Sequence, residues 1–136
     1  MEKISANTID SSDLLENPES VDFPESLFKI AFKITNNGMA ILNKYLPIVV
    51  NDQFLGIIKR KREEVIGKNL MQYVFKDDVP HVTEEIVRNR RVIYEARVIR
   101  GDDSIAYLEL RGHPIIYNGE KCRMVLVRDI TAKKNQ

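Results

Sequence analysis

The sequence feature that most constrains the fold is a pair of apolar runs joined by Asn118 and Gly119. Residues 105–111 alternate apolar and polar side chains, which is typical of a strand with one buried face. Residues 122–127 are apolar at nearly every position, which indicates a central strand covered on both faces. An Asn-Gly pair between two such runs is the strongest short-range signal for a β-hairpin, because both turn residues tolerate a positive φ. The C-terminal part of the chain is therefore predicted to form an antiparallel hairpin whose second strand lies inside a sheet.

The elements before this hairpin are predicted from the spacing of apolar residues and from Pro, Gly and Asn at their ends. Between the short strands 39–43 and 48–51 we predict a turn over residues 44–47, and Gly67 is expected to adopt a left-handed conformation. The predicted elements are a helix over 24–35, strands over 39–43 and 48–51, short helices over 52–58 and 61–65, and a strand over 92–99.

One longer helix is predicted after Asp77 and Asp78, which are expected to cap its N-terminus, with Pro80 in its first turn. Glu84 and Arg88 have the i,i+4 spacing of a favourable ion pair. The apolar stripe predicted to face the core consists of Val79, Val82 and Ile86, and the residues predicted to face solvent are His81, Glu84, Glu85 and Arg88.

Strands at both ends of the chain and helices in its middle indicate an α+β domain. We predict a five-stranded antiparallel sheet with the short helices and the longer helix on one face, preceded by the N-terminal helix. A chain of 136 residues corresponds to a single domain, which we place at residues 23–131. Residues 1–22 are predicted to be a mobile leader, and residues 132–136 the start of a linker to a downstream module.

The charge pattern argues against a nucleic-acid site. Residues 1–22 contain six acidic residues and a single base, Lys3, so the remainder has 20 basic against 14 acidic residues. These bases are scattered, and the basic run 59–62 is followed at once by Glu63 and Glu64, which indicates a solvated face.

No apolar run approaches the roughly 18 residues of a membrane span, and the N-terminus lacks the pattern of a signal peptide. Cys122 is the single cysteine, so no disulfide framework exists, and its place in a strand indicates a buried structural thiol. These observations favour a cytoplasmic protein.

The order of the elements, together with short blocks of sequence, resembles a PAS domain, a sensory module of signalling proteins. The resemblance covers about residues 25 to 131 and depends on the succession of the blocks rather than on one of them. The blocks are Asn37-Gly38-Met39-Ala40-Ile41, Ile48-Val49-Val50-Asn51-Asp52-Gln53-Phe54, Arg62-Glu63-Glu64-Val65-Ile66-Gly67-Lys68-Asn69, Phe75-Lys76-Asp77-Asp78, Tyr94-Glu95-Ala96-Arg97, Gly101-Asp102-Asp103-Ser104 and Val127-Arg128-Asp129-Ile130-Thr131.

The resemblance implies an input domain that detects a small ligand, or relays a conformational change, to a C-terminal effector of the histidine kinase or diguanylate cyclase type. It implies that Asp129 and Thr131 anchor the last strand to the outgoing helix, with Arg128 nearby. A homodimer is expected. The alternative is a ligand-free dimerisation or protein-interaction module, and the candidate interface residues are Leu27, Phe28, Ala31, Phe32 and Tyr107.

Neither catalysis nor a cofactor is expected. No nucleophile or carboxylate stands in a telling relation to His81 or His113, so no catalytic constellation can be assembled, and no metal site is predicted. Flavin-binding relatives carry a reactive cysteine after a Gly-x-Asn, whereas Leu70 follows Gly67-Lys68-Asn69 here, which excludes flavin-thiol photochemistry. Haem is not expected, because His81 is predicted to point away from the core.

A ligand pocket is predicted between the sheet and the helices, and its apolar lining suits an apolar or weakly polar small molecule. Asn51 is its predicted polar contact, although it could instead tie the helical crossover to the sheet. The alternative to a pocket is a fully packed core. The predicted lining residues are Val49, Asn51, Phe54, Ile58, Val65, Ile66, Leu70, Val74, Val82, Ile86, Leu108, Leu110, Met124 and Leu126.

Overall fold

The computed structural model describes residues 21–22 and 25–135. Its helices and strands follow the predicted order, with boundaries that differ by a few residues. The helices are α1 (Glu25–Ile34), α2 (Asp52–Ile58), α3 (Arg62–Val65), α4 (Val79–Arg88) and α5 (Thr131–Lys134), with 3-10 turns at Leu70–Tyr73 and Lys76–Asp78. The strands are β1 (Val21–Asp22), β2 (Gly38–Asn43), β3 (Leu46–Val50), β4 (Val92–Ile99), β5 (Ile105–Tyr117) and β6 (Glu120–Asp129).

The predicted five-stranded antiparallel sheet is confirmed, with strand order β4-β5-β6-β2-β3. Asn118 and Gly119 both have positive φ, 52° and 78°, as the predicted β5–β6 hairpin requires. The first and last strands of the antiparallel sheet, β2 and β6, lie side by side, since Met39 pairs with Leu126. The chain therefore leaves the sheet from a central strand.

Two of the differences from the prediction change the sheet. Strand β1 pairs parallel to β5, with Val21 opposite Ile115, so the last two residues of the predicted leader belong to the sheet. Residues 1–20 of that leader lie outside the described residues. The turn between β2 and β3 is also tighter than the predicted 44–47, because Pro47 lies inside β3. A proline is tolerated there because β3 is an edge strand and the β2–β3 pairing has a bulge next to Pro47, between the partners of Ile41 and Leu42.

Side chains of the sheet alternate between two apolar layers. The inner layer packs against α2, α3 and α4 through Phe54, Val65 and Val82. The outer layer consists of Ile41, Ile115, Tyr117 and Cys122, and Phe32 of α1 packs against it. The helices of the central region and the N-terminal helix thus cover opposite faces of the sheet.

Candidate functional site

A cavity of about 70 Å³ lies between the inner face of the sheet and helices α2 and α4. It is several times larger than the space that one water needs, but far below the roughly 300 to 1,000 Å³ of typical ligand pockets. A small apolar molecule is therefore the largest occupant that fits without movement of the walls. The cavity is lined by Ala40, Leu42, Phe54, Ile58, Leu70, Met71, Tyr73, Val74, Val82, Ile86, Tyr94, Ala96, Val98, Leu108, Leu110, Val125 and Val127.

Just over half of the predicted lining residues do line this cavity; these are Phe54, Ile58, Leu70, Val74, Val82, Ile86, Leu108 and Leu110. Val65 and Ile66 belong to the same apolar core without reaching the cavity. Their role in binding stays a prediction.

Three residues of the predicted lining lie on the other face of the sheet. Met124 and Val49 pack with the outer layer, and Leu126 lines an outer groove with Glu109 and Arg111. Consecutive strand residues point to opposite faces, so a phase error of one residue moves every side chain across the sheet. The placement of Met124 and Leu126 was wrong for this reason, and Val125 and Val127 occupy the cavity side of β6 instead.

Asn51 does not line the cavity. Its side-chain hydrogen bonds are all made to backbone groups. Its Oδ1 accepts from the amide nitrogens of Met39 and Phe54, both at 2.9 Å. Its Nδ2 donates to the carbonyl oxygens of Asn37 at 3.1 Å and Phe32 at 3.4 Å. The side chain is buried and joins α1, β2 and the start of α2.

A set of hydrogen bonds is centred on Asp129 and Thr131, where the chain leaves the sheet at the end of β6. We call this segment the exit. The Asp129 Oδ1 accepts from the Thr131 hydroxyl at 2.6 Å and the Thr131 amide at 2.9 Å. The Thr131 hydroxyl oxygen accepts in turn from the amide of Tyr107 at 2.9 Å. Burial raises the pKa of Asp129, but the bonds from Thr131 and Arg100 outweigh it and leave the pKa lowered. These bonds hold the start of α5 against β5.

Arg100, which no sequence pattern indicated, links this exit to the cavity wall. Its Nη2 donates to Asp129 Oδ2 at 2.8 Å and to the Thr131 hydroxyl oxygen at 3.3 Å, while its Nε donates to the carbonyl oxygen of Ile57 at 3.1 Å. Ile57 precedes Ile58, which lines the cavity. Arg128, predicted to take part, points away and pairs with Glu109.

Two predictions for the longer helix α4 were wrong. Asp78 makes no side-chain cap, because its carboxylate is bound by the backbone amide and guanidinium of Arg97 on β4. Glu85 is buried rather than exposed, and Arg90 binds both of its carboxylate oxygens at 3.2 Å. The predicted ion pair of Glu84 with Arg88 is present at 2.7 Å.

The Asp78–Arg97 pair predicts a pH dependence of stability. The hydrogen bond from the Arg97 side chain lowers the pKa of Asp78 below its ordinary 3.8. A carboxyl group with a lowered folded-state pKa stabilises the fold above its unfolded pKa, and this contribution disappears as the pH falls through the folded value. We expect Asp78→Asn to lower the free energy of unfolding by about 1.5 kcal/mol at neutral pH and by progressively less below about pH 4, in urea unfolding at several pH values.

Asp52→Asn is the matched control for this prediction, because Asp52 is 92% exposed and its pair with Arg62 is at the surface. Surface ion pairs contribute little, so its unfolding curve should follow that of the wild type at every pH. A difference between Asp78→Asn and wild type that stays constant down to pH 2 would contradict the assignment.

Neither a cysteine nor a histidine is among the described residues that line the cavity. Leu70, which follows Gly67-Lys68-Asn69, lines the cavity, and Cys122 lies in the outer layer, where burial raises the pKa of its thiol. His81 is exposed and meets the cavity only indirectly, through an edge contact with the Tyr94 ring at 5.3 Å between centroids. Among the described residues no cluster of His, Cys, Asp and Glu could hold a metal ion.

The candidate dimer residues are spread over two surfaces. Leu27 is exposed on α1, Ala31 and Phe32 are half-buried there, and Tyr107 is half-buried on β5. The side chain of Phe28 lies outside the described part of the chain.

Comparison with known proteins finds the same fold in PAS domains. A family model described as PAS domain matches residues 36–132. The PAS domain of an HTR-like protein from Haloarcula marismortui superposes with a TM-score of 0.68 and 20% identity, covering 77% of this chain and 90% of that chain. For a PAS domain from a two-component sensor histidine kinase the TM-score is 0.64 and the identity 22%, covering 77% and 97%.

A third solved structure, the LOV domain of a blue-light activated histidine kinase from Erythrobacter litoralis, has a TM-score of 0.59 and 17% identity, covering 70% of this chain and 96% of that chain. No curated protein sequence matches significantly. The part of the chain that the structure describes contains no helix of the length and apolar character that a membrane span needs.

Proposed function

This chain belongs to the PAS domain family, and from that premise we propose that it is a signal-input domain that passes a rearrangement of its cavity to its C-terminal exit. PAS domains are sensory signalling modules, so the chain itself is not proposed to be an enzyme. The effector would be a module of the histidine kinase or diguanylate cyclase type in the same polypeptide. The resemblance to a PAS domain from a two-component sensor histidine kinase supports the first of these.

The observation that carries the proposal is the double attachment of Arg100. One side of its guanidinium holds the last turn of α2 through Ile57, and the other holds Asp129 and Thr131. The Arg100 side chain is 14% exposed, so these bonds are largely shielded from solvent. The adjacent Gly101 amide also donates to the carbonyl oxygen of Ile58 at 2.9 Å. A displacement of α2 by a change in the cavity therefore moves the exit.

The proposed signal is a small apolar molecule or an apolar contact that changes the packing around Phe54 and Ile58. The proposal includes no cofactor. Its support is that the described lining of the cavity contains Leu70 after Gly67-Lys68-Asn69 and contains no cysteine and no histidine. Native mass spectrometry of the purified chain tests the ligand directly. A small molecule that stays bound to the chain in the spectrum supports ligand detection. The mass of the chain alone, together with no stabilisation of the fold by any small apolar compound, contradicts it.

The proposed coupling between the cavity and the exit, which we call the relay, is tested by a mutation in the cavity whose effect is measured at the exit. We expect Ile58→Ala to change the amide chemical shifts of residues 129–134 in the wild-type background. In an Arg100→Ala background the same Ile58→Ala substitution should change these chemical shifts by at most about half as much. The reason is that Arg100 no longer couples the cavity to the exit, and coupling through packed networks is worth roughly 0.5–2 kcal/mol. Nuclear magnetic resonance spectra of the four variants give the comparison.

Arg128→Ala is the matched control, since it removes an arginine beside the exit that binds Glu109 instead of α2. If Arg100→Ala does not fold, Asp129→Ala removes the ion pair from the exit side alone and is expected to leave the domain folded but uncoupled. An undiminished response at residues 129–134 in either variant would contradict the relay.

A second candidate function, self-association through α1, is favoured by its exposed apolar residues. Leu27, Ile30 and Ile34 are 46%, 58% and 77% exposed, which is unusual for side chains of this type on one short helix. A homodimer that buries this face is compatible with the relay. The same native mass spectrum reports the oligomeric state. A monomer at micromolar concentration would contradict self-association.

A further inference from the structure

One wall of the cavity differs from the others, and it consists of residues 70–74. This segment contains the 3-10 turn Leu70–Tyr73 and contributes four lining residues, Leu70, Met71, Tyr73 and Val74. All four are half-buried, whereas the lining residues that belong to α2, α4, β2 and β6 are buried. The cavity is therefore closest to solvent along this segment and the adjoining strand β4.

The other walls of the cavity are joined to their neighbours by hydrogen bonds. The strands pair with one another in a single sheet. Helix α2 is bound at its start by Asn51 and at its end by Arg100 and the amide of Gly101. Just before α4, the carboxylate of Asp78 binds the guanidinium of Arg97 on β4 at 2.7 Å. A displacement of one of these walls would break bonds that connect separate elements of the domain.

Residues 70–74 are bound to the rest of the domain by backbone groups at their two ends. The amide of Leu70 donates to the carbonyl oxygen of Tyr45 at 3.1 Å, and a bridge joins Val74 to β4. Between these ends the amide of Met71 donates to Asn69 Oδ1 at 2.9 Å, and the amide of Val74 donates to the carbonyl oxygen of Met71 at 3.2 Å. These inner bonds are local, so the middle of the segment can move outward while its ends stay in place.

Tyr73 attaches the middle of this segment to the neighbouring loop and helix. Its hydroxyl donates to the carbonyl oxygen of Glu64 on α3 at 2.8 Å. The guanidinium of Arg60 stacks on its ring, with Cζ 3.8 Å from the ring centroid, and also donates to the last carbonyl oxygen of β4 at 2.9 Å. A thioether is a weak acceptor, so the bond from the Thr83 hydroxyl to the sulfur of Met71 at 3.6 Å adds little. The hydroxyl bond of Tyr73 is exposed, so water can replace it.

We propose that residues 70–74 are a lid through which apolar molecules enter the cavity, and that the Tyr73 hydroxyl is its latch. This inference rests on the proposed function, because it concerns the entrance to the same cavity. At about 70 Å³ the closed cavity has about half the roughly 150 Å³ of an engineered cavity that binds benzene. A neutral ligand with one ring therefore requires outward movement of the lid, which begins when the Tyr73 hydroxyl leaves Glu64.

Thiol labelling measures this opening without a ligand. Val125→Cys places a thiol in the cavity, whereas the natural Cys122 lies on the same strand and packs in the outer layer. We expect iodoacetamide to alkylate the introduced thiol through opening of the lid, at a rate that low urea concentrations leave unchanged. Alkylation of Cys122 should accelerate with urea, because it requires unfolding of the outer layer. Mass spectrometry separates the two sites, and Val82→Cys on α4 is a second cavity reporter.

Tyr73→Phe tests the latch, because it removes the hydroxyl bond and keeps the ring that lines the cavity. We expect the introduced thiol to react about fivefold faster, the factor that corresponds to one lost hydrogen bond, and the rate at Cys122 to stay the same. Gln72→Ala is the matched control, since Gln72 is the exposed lid residue beside Tyr73 and does not line the cavity. It should leave both rates unchanged.

Two results would overturn the proposal. One is an equal rate at the introduced thiol in the Tyr73→Phe and Gln72→Ala variants. The other is a rate at that thiol that rises with urea in parallel with the rate at Cys122, which would show that the cavity opens only when the domain unfolds. Both results leave the proposed function standing, because that function is tested by ligand retention and by the response of the exit.

Discussion

Replacing Gly101 with alanine is expected to lower the free energy of unfolding by about 3 kcal/mol or more. A Cβ at Gly101 would lie 1.9 Å from the carbonyl oxygen of Lys59 and 3.1 Å from its carbonyl carbon, and these are backbone atoms that cannot rotate away. Lys59 ends α2 in a left-handed conformation, so the clash pushes the helix C-terminus away from the β4–β5 turn. The bond from the Gly101 amide to Ile58 is then lost as well. The midpoint of urea unfolding measures the effect.

Gly56→Ala is the matched control for this substitution. Gly56 lies in α2 and is exposed, and a Cβ added there would have no other heavy atom within 4 Å apart from its own helix backbone and chain neighbours. Alanine is a better helix residue than glycine by about 0.8–1 kcal/mol, so this variant should be more stable than the wild type. A Gly101→Ala variant of wild-type stability would show that α2 does not approach the turn this closely, and would remove the basis for the relay through Arg100.

Local sequence patterns were sufficient for the sheet, because hairpin signals are short-range. Asn118 and Gly119 determine where β5 turns into β6, and the alternation of residues 105–111 determines which face of β5 is buried. The same reasoning failed on β6. Its residues are apolar on both faces, so no alternation indicates which side chains face the cavity. Met124 and Leu126 were therefore placed in the cavity instead of Val125 and Val127.

Charged residues inside the fold could not be predicted, because their partners are distant in sequence. Arg100 binds Ile57 and Asp129, which are 43 and 29 residues away. Glu85 has the spacing of the inward stripe of α4, together with Val82 and Ile86. Its charge made solvent exposure the natural prediction, since a buried carboxylate requires a partner, and Arg90 supplies one only after the helix has ended.

Asn51→Ala is expected to lower the free energy of unfolding by about 3 kcal/mol, the second of the two largest effects. The substitution leaves the buried amides of Met39 and Phe54 without an acceptor, and unpaired buried backbone groups each destabilise by roughly 1–3 kcal/mol. It also removes the N-cap of α2 and the bonds to Asn37 and Phe32. Thermal and urea unfolding of the variant measure the loss.

Two further variants separate the roles of the Asn51 side chain. Asn51→Asp keeps the acceptor for both amides but turns its second oxygen toward the carbonyl oxygens of Asn37 and Phe32. It should therefore be less destabilising than Asn51→Ala at low pH, where the protonated carboxyl group can donate in place of the amide. Asn69→Ala removes an exposed cap that accepts from the Met71 amide at 2.9 Å, and should destabilise by only about 1 kcal/mol. If Asn51→Ala were no worse than Asn69→Ala yet abolished binding of a cavity ligand, Asn51 would be a ligand contact. The four backbone bonds of Asn51 predict the opposite result, a large loss of stability, because the side chain has no free group to offer a ligand.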